Sequence, residues 1–249
     1  MNFNGRHRIR QFFATAPTPC PYIAGRSEQK LVIELRTDDA GRFFSDLSRA
    51  GFRRSHGLAY KPTCRDCAAC VPVRIPVATF ERSRSLRRIA ARNRDLRLTE
   101  QPPEATPEHF ALFKRYLERR HGGSDMADME WRDYRAMVED TPVDSALVEL
   151  RGPDGALLAV CLIDLGDDSL SAVYSFFEPE APKRSLGKFV VLELIRRAHE
   201  LRLDHVYLGY WIEGSATMDY KRQFPGLEAF RDGAWRALGA PDDDSGRPA

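Results

Sequence analysis

The stretch from Ala146 to Trp211 constrains the fold more than any other part of the chain. ALVELR, the turn GPDG, ALLAVCLIDL, the turn GDDS and LSAVYSFF read as three strands in a row, joined by tight turns. After Glu178-Pro-Glu and the basic, glycine-bearing loop APKRSLGK comes an amphipathic helix over Leu186 to Leu201, then the strand HVYLGYW from His205 to Trp211.

The first half reads as a smaller mixed unit. Lys30 to Arg36 alternate as a strand, and Arg42 to Ala50 has helical spacing that ends at Gly51. VPVRIPV, from Val71 to Val77, is expected at a sheet edge because of its two prolines. A helix is expected from about Ser83. The proline-rich stretch QPPEATP, Gln101 to Pro107, marks a boundary, with helices over Pro107 to Arg120 and Glu130 to Glu139 beyond it. HGGSDMAD between those helices has the composition of a mobile segment, and PDDDSGRPA that of a disordered tail. The expected division is residues 1–100, 101–240 and the tail 241–249.

Strand, strand, strand, basic loop, helix, strand is the order of an N-acetyltransferase core. The fold expected is α+β, with GNAT-type mixed sheets flanked by helices in two such units. Coenzyme A pyrophosphate needs bare backbone amides at a helix N-terminus, commonly supplied by a basic residue and two glycines. The loop Arg184-Ser-Leu-Gly187-Lys188-Phe189 puts Phe189 at the second glycine position, which argues against that donor. A basic turn that merely starts a helix explains the loop equally well.

Another activated donor is therefore needed. In RSRSLRRIAARNRDLR, Leu86, Ile89, Ala90 and Leu96 share one helical face, while Arg84, Arg87, Arg88, Arg92 and Arg94 cover the other. Such a face suits phosphate backbones, and a solvated charge run is the plain alternative. With a net charge of only +2, nucleic-acid affinity must come from a local patch of this kind. The segment VYLGYWIEGSATMDYKRQF adds Tyr207, Tyr210, Trp211 and Tyr220, suited to stacking on a base, although part of it must be core.

Cys64, Cys67 and Cys70 follow one another in C-x-x-C steps, and Cys20 is the only suitable fourth thiol, since Cys161 sits in an apolar strand. They could hold zinc or an iron–sulfur cluster, or pack as reduced thiols without metal. A catalytic thiol lacks a recognisable histidine and acid. Five cysteines, an odd number, fit a reducing compartment, so the cytoplasm is expected. No apolar run approaches the roughly 18 residues of a membrane span.

CPYIAGRSEQ, GFRRSHGLAYKPTCRDCAACVPVRIPV with the following SRSLRR, and YSFFEPEAPKRSLGKFVVLELI leading to HVYLGYWIEGSATMDYKRQFPGLEAF resemble the bacterial aminoacyl-tRNA–protein transferases, in particular the aspartate/glutamate leucyltransferases. The resemblance implies transfer of leucine from leucyl-tRNA to the α-amine of proteins beginning with Asp or Glu, marking them for N-degron degradation. An arginyl-tRNA–protein transferase, a coenzyme A-dependent N-acyltransferase and a non-catalytic RNA-binding module are the alternatives. An aminoacyl ester is already activated, so no cofactor is required for the chemistry. The acidic first residue calls for a fixed cation. The catalytic candidates are Tyr60, Lys61, Tyr220 and Lys221, and the substrate-binding candidates are Arg53, Arg54, Tyr207, Tyr210, Trp211 and Arg184. Arg84, Arg87, Arg88 and Arg92 are the candidates for tRNA.

Overall fold

The computed structural model describes residues 10–120, 128–215 and 217–239. All of HGGSDMAD except Asp128, and the whole tail 241–249, lie outside these residues. The chain runs β1 (Phe13–Ala14), β2 (Thr18–Pro19), β3 (Ser27–Glu28), β4 (Lys30–Glu34), α1 (Ala40–Arg49), β5 (Arg53–Ser55), β6 (Leu58–Pro62), β7 (Cys70–Pro76), α2 (Arg84–Arg92), β8 (Arg97–Gln101), α3 (Pro107–Arg120) and α4 (Trp131–Glu139). It continues through β9 (Ser145–Arg151), β10 (Leu157–Leu165), β11 (Ser169–Phe177), α5 (Leu186–Glu200), β12 (His205–Ile212), β13 (Glu228–Arg231) and β14 (Ala234–Ala237). Short 3₁₀ helices cover Pro182–Arg184 and Asp219–Gln223.

Eight strands form the main sheet, in the order β14-β13-β7-β12-β11-β10-β9-β8. Among the described strands only β11 and β12 pair in parallel, and α5 is the crossover between them. The strand alternation decides what covers each face. Val73 and Ile75 of β7, Cys161 and Ile163 of β10, and Val206 and Leu208 of β12 pack with Val190 and Leu194 of α5 and Leu86 and Ile89 of α2. On the opposite face, Leu162 and Phe176 meet Leu112 and Phe113 of α3 and Tyr134 of α4. Asp164, in phase with Leu162, points to that second face and reaches Arg54 of β5. A four-stranded sheet, β1-β4-β6-β5, is thereby joined to the main one. Its own core is Ile33, Ala59 and, from α1, Phe44 and Leu47.

Three expectations change. VPVRIPV is not an edge strand, because β7 lies between β13 and β12. Its prolines are tolerated because β13 pairs only with Val73 and Arg74, and the ladder with β12 slips between Tyr207 and Tyr210. The basic helix is shorter than its pattern. Ser83 caps it by accepting from the Leu86 amide, and it stops at Asn93, so Arg94 lies beyond it and Arg97 begins β8. Finally, strands from both sides of residues 101–107 share the main sheet, with β7 and β8 before that stretch and β9 to β14 after it. The sheets divide instead between β6 and β7, just at the cysteine loop.

Candidate active site

The parallel ladder of β11 and β12 covers only Ser169–Ser171 against His205–Tyr207, although β11 runs on to Phe177 and β12 to Ile212. The two strands part beyond that point, which leaves backbone groups on their facing edges to find other partners. Two cations take up carbonyls there. Arg53 Nη2 donates to the Ala172 carbonyl at 3.0 Å, and Lys221 Nζ donates to the Tyr210 carbonyl at 2.6 Å. Gly209 lies between them at φ +80°, where β12 slips against β7. A Cβ on residue 209 would come within 3.8 Å of both Arg53 Nε and Lys221 Nζ, so the absent side chain leaves a small space that both cationic groups face.

Both side chains are nearly removed from water, each residue being 5% exposed. Burial, reinforced by the Arg53 charge, pushes the Lys221 ammonium down to about 7, and burial likewise lowers Arg53. Among the described residues neither is ion-paired, and Asp164, which acts on Arg53, is itself bound by Arg54. Arg53 Nη1 is buried with no hydrogen-bond partner, as are Ser171 Oγ and Tyr174 OH on β11 and Trp211 Nε1 on β12. Unpartnered buried donors are costly, and two buried cations without a counter-charge among the described residues give the recess the chemistry that suits an anionic group.

Of the candidates read from the sequence, Arg53 and Lys221 meet here, and Tyr60 stands beside them. The Tyr60 ring lies 5.9 Å from that of Tyr210, and Arg53 is its cross-strand neighbour. The others go elsewhere. Arg54 alternates to the far side of β5 and is bound by Asp164 through two hydrogen bonds. Lys61 alternates away from Tyr60, donates to the Ala50 carbonyl at 3.0 Å and stands 4.7 Å from the Phe230 ring. Arg184 forms a double hydrogen bond with Asp95 and so ties the start of α5 to the end of α2. Tyr220 packs against the main core from the 3₁₀ helix that carries Lys221.

The tyrosines of β12 do not present stacking faces, because both sides of an interior strand are covered. Tyr207 is buried against Trp235 and accepts from Arg74, while the Tyr210 hydroxyl is placed to donate to the Gly51 and Tyr60 carbonyls. Trp211 is buried too, with the Arg222 guanidinium 5.4 Å from its ring. Phe189 points into the core and does not itself obstruct the helix start. The obstruction comes from Phe177, which would lie 2.8 Å from a Cβ on Gly187, so this glycine serves helix–strand packing rather than a phosphate cradle.

Cys20, Cys64, Cys67 and Cys70 gather where the N-terminal turn meets the loop before β7. Burial, with Cys64, Cys20 and Cys67 close by, pushes Cys70 up to about 11. Cys67 is lowered by the Ala69 amide and by Arg26, which also donates to the Asp66 carbonyl at 3.3 Å. Four thiolates around one zinc stand about 3.8 Å apart, given Zn–S near 2.3 Å. Among the described residues no three of these sulfurs form a group within 4.8 Å of one another. The hydrogen bond from Arg26 to the Asp66 carbonyl and that from Cys64 to the Gln29 carbonyl already join the turn to the loop.

On α2, Arg84, Arg87, Arg88 and Arg92 line the face turned away from the core formed by Leu86 and Ile89. Arg87 and Arg92 donate to the carbonyls of Arg82 and Lys183, and Asn93 donates to that of Arg184. The end of the arginine face thus borders the loop that opens α5. Sequence reasoning missed Gly209 as the centre of the site, though a glycine within HVYLGYW is the usual mark of a bulge.

A mixed sheet whose one parallel pair among the described strands is bridged by a helix and parts beyond the ladder has the arrangement of an acetyltransferase-like fold. A crystal structure of FemX shares the outline at 11% identity and a TM-score of 0.48, covering 75% of this chain and 64% of that one. Within this class, the chain belongs to the arginine-tRNA-protein transferase family, whose N-terminal model matches residues 18–88 and whose C-terminal model matches residues 108–231. An aspartate/glutamate leucyltransferase of Gluconacetobacter diazotrophicus is 50% identical over 96% of this chain and 92% of its own length. Its counterpart in Parvibaculum lavamentivorans is 52% identical over 95% and 98% respectively.

Proposed function

We propose that this protein transfers leucine from leucyl-tRNA to the α-amine of polypeptides that begin with aspartate or glutamate, the mark that the resemblance ties to N-degron degradation. The observation that carries the reading is the pair of buried, unpaired cations at Gly209, which matches an acceptor whose first side chain is a carboxylate. The choice of leucine follows the names of the relatives.

The acceptor carboxylate binds Arg53 Nη1 and Lys221. Its α-nitrogen attacks the ester carbonyl, the new C–N bond forms, and the C–O bond to the tRNA ribose breaks as that hydroxyl regains a proton. The nitrogen gives up the proton that balances the step. Backbone N–H groups bared where β11 and β12 part meet the oxyanion, and fixed donors of this kind are commonly worth about 3–4 kcal/mol in the transition state. Among the described residues no helix is long and apolar enough to cross a membrane.

The test is transfer of labelled leucine from leucyl-tRNA to peptides differing only in the first residue. Asp and Glu should be modified and Asn and Gln should not. Modification of all four alike, or of none, would reject the reading. For α2, joint replacement of Arg84, Arg87 and Arg88 by alanine should raise KM for leucyl-tRNA and leave the acceptor KM in place. The salt dependence of binding should flatten by about one log unit per log unit of salt for each phosphate that the variant no longer neutralises.

A further inference from the structure

The face of the four-stranded sheet that carries Arg53 and Tyr60 continues past them as an open groove. Its volume is about 580 Å³, and Tyr60 is at once a wall of the cation recess and the near end of this groove. Val32 pairs with Tyr60 across β4 and β6, and Glu34 pairs with Leu58, so the floor beyond Tyr60 is Val32 and Leu58. Leu58 is 43% exposed, so its side chain is open to an occupant of the groove. Arg36 and Asp140 close the far end as a pair at 2.7 Å, and Lys30 at the near end is paired with Glu28 at 2.8 Å.

We infer that this groove holds the second to fourth residues of the acceptor polypeptide in an extended conformation, with preference for apolar side chains over Leu58 and Val32. The inference rests on the proposed function and names a further specificity determinant of it. Continuity supports it, because a chain whose first carboxylate lies between Arg53 and Lys221 leaves the recess past Tyr60 and meets the groove next. The rim charges are already paired, so a charged second or third residue gains little there and loses solvation. RNA is the less suitable occupant. The carboxylates of Glu34 and Asp140 line the groove, and the arginine face of α2 belongs to the opposite side of the main sheet.

The experiment compares an acidic dipeptide with five-residue peptides that share its first residue and carry either apolar or acidic residues at positions two to four. With the native protein, the acceptor KM should fall at least 10-fold from the dipeptide to the apolar pentapeptide, and should not fall for the acidic one. Leu58→Glu should remove that gain and leave KM for the dipeptide and for leucyl-tRNA unchanged. Equal KM for all three peptides with the native protein would overturn the inference without any variant. So would a Leu58→Glu protein whose tRNA KM rises, which would make the groove an RNA site, or one that loses dipeptide and pentapeptide alike. Transfer to the dipeptide together with flat length dependence leaves the proposed function standing. No transfer to any acidic peptide overturns that function and the groove's role together.

Discussion

Arg53→Met should lower kcat/KM for an acidic acceptor by roughly 30- to 5,000-fold, the range expected when one partner of a buried hydrogen-bonded charge pair is removed at about 2–5 kcal/mol. The same variant should be no less stable than the native protein. Arg53 and Lys221 are two buried cations that repel each other, and burial disfavours the charged form of both. Removing one relieves that cost, offset in part by the missing bond to the Ala172 carbonyl. A variant that melts at the native temperature or above, keeps its leucyl-tRNA KM and fails on Asp and Glu peptides would place the residue in acceptor recognition. A parallel loss of stability and activity would make Arg53 a strut between the sheets.

Lys221 gives the same recess a pH signature. Its ammonium, pushed down to about 7, is charged below that pH and neutral above it, so affinity for a carboxylate should fall as pH rises through 7. The acceptor α-amine becomes nucleophilic as pH rises through about 8, and the two trends oppose each other. The profile of kcat/KM should therefore be bell-shaped. In Lys221→Arg the charge persists at every accessible pH, and the alkaline decline should vanish. A native profile that simply rises to a plateau would show that Lys221 holds no anion.

What the sequence disclosed and what it hid separate along physical lines. The meander, α5 and β12 were legible because each element is covered by its neighbours in the chain, and their periodicity records that burial. The role of Gly209 was not, since a bulge is set by how β12 meets β7, more than a hundred residues earlier. Arg53 and Arg54 look alike in GFRRSHG, yet strand alternation sends one to the recess and the other to Asp164. The proline-bearing β7 was misplaced because its neighbours β12 and β13 both follow it, at a distance no local pattern reports. The tyrosines of β12 misled for a related reason, as residues that would stack on a base if exposed are equally at home between two layers. A hint of the second layer was present all the same, in the single acid of LAVCLIDL.

That acid supports the largest expected effect on stability. Asp164 accepts from Arg54 at 2.8 and 2.7 Å and from Ser145 Oγ at 2.7 Å, and the two charged side chains are 1% and 0% exposed. Asp164→Leu strands the Arg54 guanidinium without a counter-charge, which costs about 3–5 kcal/mol out of the 5–15 kcal/mol typical of a folded protein. Arg54→Leu leaves the carboxylate stranded in turn. The double replacement should recover most of that loss, because an apolar pair of similar volume needs no desolvation, and the Ser145 hydroxyl can turn its proton to the Val143 carbonyl, 3.2 Å away. Urea unfolding of the four proteins reads this directly as a coupling energy of several kcal/mol, whereas additive single effects would mean the pair does not hold the sheets together. Activity should not follow stability through the cycle. The double variant, refolded and stable, would still lack the directional double hydrogen bond that sets β5 against β10, and Arg53 is the next residue along that strand. Its transfer rate should stay below native even where its unfolding midpoint does not, because packing restores the energy of the joint without restoring the angle at which Arg53 enters the parted strands.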